Sequence, residues 1–140
     1  HVWEGSSGIE VMLQPGDPGD NRHYYEIQVD THEAVWDTRF DDYNRPITNH
    51  PEGRRFGHQD WDAQLLRSAR TSGTGYTVEM ALPWASLTSE RTTIPPQAGD
   101  TWRMNLYTFR DGQRHALAWS PIMGEGNFHY APRFGRVVFE

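Results

Sequence analysis

The stretch IEVMLQPGDPGDNRHYYEIQVD, residues 9–30, sets two alternating runs on either side of a link rich in Pro, Gly and Asp. Ile9, Val11 and Leu13 alternate with Glu10, Met12 and Gln14, and Tyr25, Ile27 and Val29 with Tyr24, Glu26, Gln28 and Asp30. A period of two is the signature of a strand, because successive side chains point to opposite faces. The stretch therefore predicts a β-hairpin with one apolar core face and one polar sheet surface edged by aromatics. The link is open to two readings. Asp-Pro-Gly-Asp-Asn is an ordinary hairpin turn, and Asp17, Asp20 and Asn21 are also hard oxygen ligands on a turn, which suits Ca²⁺.

Working outward, similar runs recur at AVWDTRF (34–40), DAQLLRSA (62–69), YTVEMAL (76–82), WRMNLYTFR (102–110), HALAWS (115–120) and GRVVF (135–139). Turn formers separate them, as in an antiparallel all-β domain. Eight short strands predict a two-sheet β-sandwich of jelly-roll or immunoglobulin-like type without substantial helix. PWASL (83–87) is the one helical turn expected, with Pro83 at its first position. Residues 41–60 carry no period and read as a long loop, a length that in compact domains is functional or disordered.

The chain of 140 residues is the length of one domain. Its net charge of −6 and lack of a long basic block argue against nucleic acid and anionic membrane as partners. No apolar run is long enough to span a bilayer. The absence of cysteine excludes disulfides, thiolate nucleophiles and Cys-rich zinc sites. The unusual feature is aromatic: six Trp, six Tyr and six Phe. Such rings serve as core or as flat platforms for a ligand.

Enzyme signatures are missing: no Gly-x-Ser-x-Gly elbow, His-Glu-x-x-His helix or phosphate-binding glycine loop. Asp41 with Asp42, or Glu26 with Asp37, are nominal carboxylate pairs for glycoside hydrolysis, a mechanism that depends on their separation. Solvated carboxylates are the plainer reading. His23, His115 and His129 read as surface or hydrogen-bonded histidines rather than metal or haem ligands. Trp36, Trp84, Trp102 and Trp119 fall in or beside apolar patterns and are expected in the core. A saccharide needs flat rings beside a few polar groups. Trp3 near Glu10, and Asn127-Phe128-His129 in a Gly-flanked loop, are the candidates to supply them.

The order WEGSSGIEVML, DPGDNRHYYEIQV, AVWDTRF, YTVEMALPWASL, AGDTWRMNLYTFR, AWSP, FHYAPRFGRVVF resembles carbohydrate-binding module family 9 over nearly the whole chain. The resemblance implies a secreted or periplasmic, extracytoplasmic β-sandwich attached to something larger, with structural calcium. It also implies a sugar clamp of Trp3 and Phe128, with Glu10, Gln28 and Asn127 reading hydroxyls. Phe128 stands where relatives carry tryptophan, and Gln28 where they carry a basic residue. Relatives have further strands before the Trp-Glu motif, so the resemblance implies a fragment of a longer chain.

Three functions follow as expectations. The first is non-catalytic binding of a saccharide of glucan or xylan type. The second is a structural or docking subunit that meets a protein partner in an extracytoplasmic complex. The third is a haem-binding relative of the same sandwich (DOMON-like), using Met12, Met104 or Met123 with His115 or His129.

Overall fold

The computed structural model describes residues 2, 4–112, 117–124 and 127–140. His115, one of the candidate histidines, lies outside them. All eight expected strands are present: β1 (Gly8–Gln14), β2 (Arg22–Asp30), β3 (Val35–Asp42), β4 (Leu66–Ser72), β5 (Gly75–Ala81), β6 (Thr101–Phe109), β7 (Leu117–Ala118) and β8 (Gly135–Val138). The fourth begins later than its pattern suggested. Ala63 and Leu65 are spent as buried plugs, and Ala63 N–H donates to Asp37 Oδ2 at 2.8 Å, which ties that segment to β3. In PWASL the 3₁₀ turn is Trp84–Ser86, and Pro83 stands just before it with extended backbone, not at its first position.

The strands form two antiparallel sheets. The larger runs β3-β2-β1-β6-β7, with β8 also paired to β6, and the smaller is the β4-β5 ribbon. Register then fixes which side chains meet. Glu10 lies opposite Gln28 on one side and Tyr107 on the other, and Gln28 lies opposite Trp36. In the next row Glu26 lies opposite both Met12 and Thr38.

One face of the large sheet packs on the ribbon, where Ile27 and Val29 meet Ala63 and Leu65, while Tyr25, Leu87 and Trp102 form a neighbouring cluster. The other face corrects the expectation of an open polar surface. Met12, Tyr24, Phe40 and Tyr107 pack there against Ala131 and Phe134, and all of β2 from Tyr24 to Asp30 is buried. Alternation correctly separated two faces, but the loop 41–60 and the segment 127–134 cover the polar one. Of the four tryptophans assigned to the core, Trp102 is fully buried. Trp84 (45% exposed) and Trp119 (52%) are not. Trp84 borders an apolar groove of about 310 Å³ with Leu13, Met104 and Phe139 on the ribbon side.

β7 and β8 share one edge of β6, and Asn105 bridges the interval between them. Its Nδ2 donates to Ser120 O at 2.7 Å and to Tyr107 Oη at 2.8 Å, while its Oδ1 accepts from Ser120 N–H at 2.9 Å. Asn105 is fully buried, so its removal leaves buried backbone groups without partners. Asn105→Ala is expected to destabilise the fold by about 2–3 kcal/mol in chemical denaturation. A loss below about 0.5 kcal/mol, the range of ordinary surface substitutions, would show that the edge does not depend on it.

Candidate functional site

The covered sheet face holds a cavity of about 550 Å³, within the range of small-molecule sites. Its floor is Glu10 from β1, Glu26 and Gln28 from β2, and Trp36, Thr38 and Phe40 from β3. One wall is the segment Asn127-Phe128-His129, and the other is the loop 41–60 through Tyr43, Arg54, Arg55, Phe56 and Gly57.

The floor is unusual in its polarity. Glu10 and Glu26 are each 4% exposed, and Gln28 and Thr38 1%. The Gln28 amide donates both hydrogens to carboxylates, to Glu10 Oε2 at 3.0 Å and to Glu26 Oε1 at 2.9 Å. That leaves Glu10 Oε1, Glu26 Oε2, Gln28 Oε1 and Thr38 Oγ1 buried with no hydrogen-bond partner. Unpaired buried polar atoms each cost about 1–3 kcal/mol, and four on residues that line one cavity are a cost that a fitting ligand removes.

Electrostatics follow from this burial. Desolvation pushes the Glu10 carboxyl up to about 7, against the lowering effect of the Gln28 bond. Desolvation and then the charge of Glu10 push Glu26 well above the usual carboxylate range. Burial holds the His129 imidazole down at about 4, so at neutral pH it carries no charge. Its Nδ1 meets Tyr24 Oη at 2.7 Å and its Nε2 lies 3.6 Å from Glu26 Oε2.

Aromatic rings back both walls. Phe128 stacks on Tyr107 with centroids 4.1 Å apart and planes 7° apart. Tyr43 stacks on His129 at 4.0 Å and on Phe56 at 5.1 Å. The loop 41–60 is ordered by two backbone bridges, Ile47 with Arg55 and Arg39 with His58. Gly57 permits its close approach, since a Cβ there would come within 2.9 Å of Thr38 Oγ1.

Four of the five residues expected to bind sugar, Glu10, Gln28, Asn127 and Phe128, thus line one cavity. The fifth, Trp3, lies outside the described residues. Sequence reasoning missed Thr38, Tyr43 and Phe56 as lining, and assigned Trp36 to the core; His129 was named with Asn127 and Phe128 as part of the candidate loop and does line the cavity. The period-two pattern did place Glu26, Trp36 and Thr38 on fixed faces of their strands, a signal that their rows would meet. The nominal hydrolytic pairs do not form. Glu26 faces the cavity, whereas Asp37 accepts from Ala63 on the ribbon side. Asp41 is bound to His58 at 2.6 Å, and Asp42 lies beside Arg22 and Arg45. Of the methionines weighed as haem ligands, Met12 is packed in the aromatic core and Met123 is exposed.

The hairpin link 15–21 is organised differently from a calcium loop. Gln14 holds it from inside, donating to Asp20 O and Arg22 O at 2.7 Å each. Asp17 accepts from Arg103 at 2.6 Å and from Arg136 at 2.8 Å. Asp20 takes both terminal nitrogens of Arg91, at 2.8 and 3.0 Å. For Asp17 burial is outweighed by Arg136 and Arg103, and for Asp20 by Arg91, so both carboxyls titrate below the usual range. Asn21 bonds His129 O and Ala131 N–H, at 2.9 and 2.8 Å. A donor set already filled by three guanidiniums and backbone does not fit Ca²⁺, which needs six to eight free oxygens. Asn21 instead clips the C-terminal wall of the cavity in place.

A β-sandwich with a polar floor and aromatic walls belongs to the class of small-molecule binding domains. The model for the carbohydrate family 9 binding domain-like family matches residues 3–140, and the chain belongs to that family. Its fold is similar to the crystal structure of a "putative carbohydrate-binding protein" from Bacteroides uniformis, with a TM-score of 0.67 and 22% identity. That match covers 100% of this chain and 63% of the other. No curated protein matches the chain.

Two expectations follow from the site. Added Ca²⁺ or a chelator leaves the melting temperature unmoved, whereas Arg103→Ala costs about 2 kcal/mol through its charged hydrogen bonds. A chelator-induced fall in melting temperature would contradict this. The second concerns pH. Glu10 keeps a proton in the native state that the unfolded chain releases, so its contribution to stability is complete below about pH 4.5 and is lost as pH rises towards 7. His129, depressed to about 4, works in the opposite sense over an overlapping window. The difference between wild type and Glu10→Gln separates them. Wild type is expected to lose ground as pH rises from about 4.5 to 7, by at most about 1.4 kcal/mol per unit for each carboxyl released. A flat difference curve from denaturant titrations across that window would contradict the assignment.

Proposed function

We propose that the domain binds saccharides of glucan or xylan type without cleaving them, and does so outside the cytoplasm, where such polymers are met. The observation that carries this reading is the set of four unpartnered polar atoms on the cavity floor, at Glu10, Glu26, Gln28 and Thr38. A sugar presents a rim of hydroxyls and apolar C–H faces. The hydroxyls answer the orphan oxygens, and the faces fit beside Phe128 and Tyr43. Family membership supports the same ligand class.

Binding without cleavage is favoured by the arrangement of the acids. Glycoside hydrolysis requires two carboxyls flanking the scissile bond, one protonating it and the other acting from the opposite side. Glu10 and Glu26 instead sit side by side on one floor, joined through a single Gln28 amide nitrogen. They approach a ligand from the same direction and read it as a pair.

Isothermal calorimetry of the protein against cello- and xylo-oligosaccharides tests the proposal. Saturable heat is expected, with Glu10→Ala and Phe128→Ala each weakening affinity about tenfold or more, equivalent to about 1.4 kcal/mol. No heat from a folded sample, or heat that neither substitution alters, would overturn it.

A further inference from the structure

The floor makes a more specific demand than hydroxyls alone meet. With both carboxyls ionised, Glu10 Oε1, Glu26 Oε2 and Gln28 Oε1 are three acceptors, and all three are buried without a partner. Gln28 has no hydrogen left to give, since both serve the two carboxylates. The nearest ring nitrogen, His129 Nε2, is 3.6 Å from Glu26 Oε2, beyond hydrogen-bond reach.

Positive charge is also lacking. The chain has no lysine, so all 13 basic side chains are arginines. Among the described residues none of these pairs with Glu10 or Glu26. Arg55 at the rim is held by Glu52 and Gln59, and Arg54 lies over the Phe56 ring at 5.0 Å. Arg103, on the same sheet face, is committed to Asp17. Two buried carboxylates without a cation are costly unless a proton or a ligand charge neutralises them.

We propose that the preferred occupant is a saccharide carrying a protonated amine, a hexosamine unit whose ammonium sits between Glu10 and Glu26. The inference rests on the saccharide reading of the site and narrows it. An ammonium brings three hydrogens on one atom together with a positive charge, whereas a hydroxyl brings one hydrogen and no charge. Three acceptor oxygens on residues that line one cavity match the first. The aromatic walls add a favourable environment for a cation over ring faces.

The raised carboxyls of the pair supply a second consequence. Near neutral pH the pair retains a proton, and an ammonium seated there takes over the neutralising role, so binding releases that proton to solvent. The other titratable groups facing the pair are Tyr24, Tyr43, Tyr107 and His129, with Glu52, Arg54 and Arg55 at the rim. The tyrosines are held above their ordinary values by burial and His129 is neutral, so none of these four supplies the proton near pH 7.

Calorimetry with glucose, glucosamine and N-acetylglucosamine, in two buffers of different ionisation heat, tests this. Glucosamine is expected to bind at least about tenfold more tightly than the other two, with proton release, a gap of about 1.4 kcal/mol. Glu10→Gln and Glu26→Gln, checked for folding by circular dichroism, are expected each to narrow that gap. Equal or tighter binding of glucose would overturn the amine while leaving the saccharide reading intact. Heat from Ca²⁺ or Mg²⁺ alone, blocked by both substitutions, would overturn it in favour of a metal. Silence of all three sugars, together with the cello- and xylo-oligosaccharides, would remove both readings.

Discussion

Two glutamates and a glutamine are buried side by side on one sheet face with fewer hydrogen-bond partners than they have polar atoms. The rest of the structure is arranged around that constraint. Antiparallel register brings Glu10, Gln28 and Glu26 together, because Glu10 pairs with Gln28 and Glu26 follows two residues earlier on the same face. A single amide then bridges the two acids. Nothing in packing alone rewards such a cluster, since apolar residues of similar volume would bury at lower cost. Its retention at the bottom of a cavity is what a binding floor requires.

The surrounding elements cover that floor and fix its walls. Asn21 ties the hairpin link to the backbone of His129 and Ala131. Arg91, Arg103 and Arg136 hold the link itself through Asp20 and Asp17. Tyr24 positions His129, whose ring stacks on Tyr43 and so joins the C-terminal wall to the loop 41–60. The loop that approached legibility as a metal site is therefore a clamp. It acts on the site at a distance by holding a wall, and its ionised carboxylates are neutralised by arginine.

The fold was largely legible because the strands alternate cleanly and turn formers bound them. The burial of the polar face was not, because alternation identifies two faces without saying what covers either. Glu10, Gln28, Asn127 and Phe128 were found through the order of motifs, and their convergence is a matter of tertiary structure. Tyr43 and Phe56 escaped notice because the loop 41–60 carries no period that fixes where its side chains go. The calcium reading failed to fit for a related reason. The guanidiniums that occupy Asp20 and Asp17 come from positions up to 119 residues away, a separation that local composition does not reveal.

The most direct measurement of the central claim is a crystal structure of the protein grown with a saturating saccharide. The account predicts a sugar ring on the cavity floor, with donors within hydrogen-bond distance of Glu10 Oε1, Glu26 Oε2 and Gln28 Oε1 and a C–H face towards Phe128. A saccharide bound elsewhere, with those three oxygens satisfied by water alone, would contradict it.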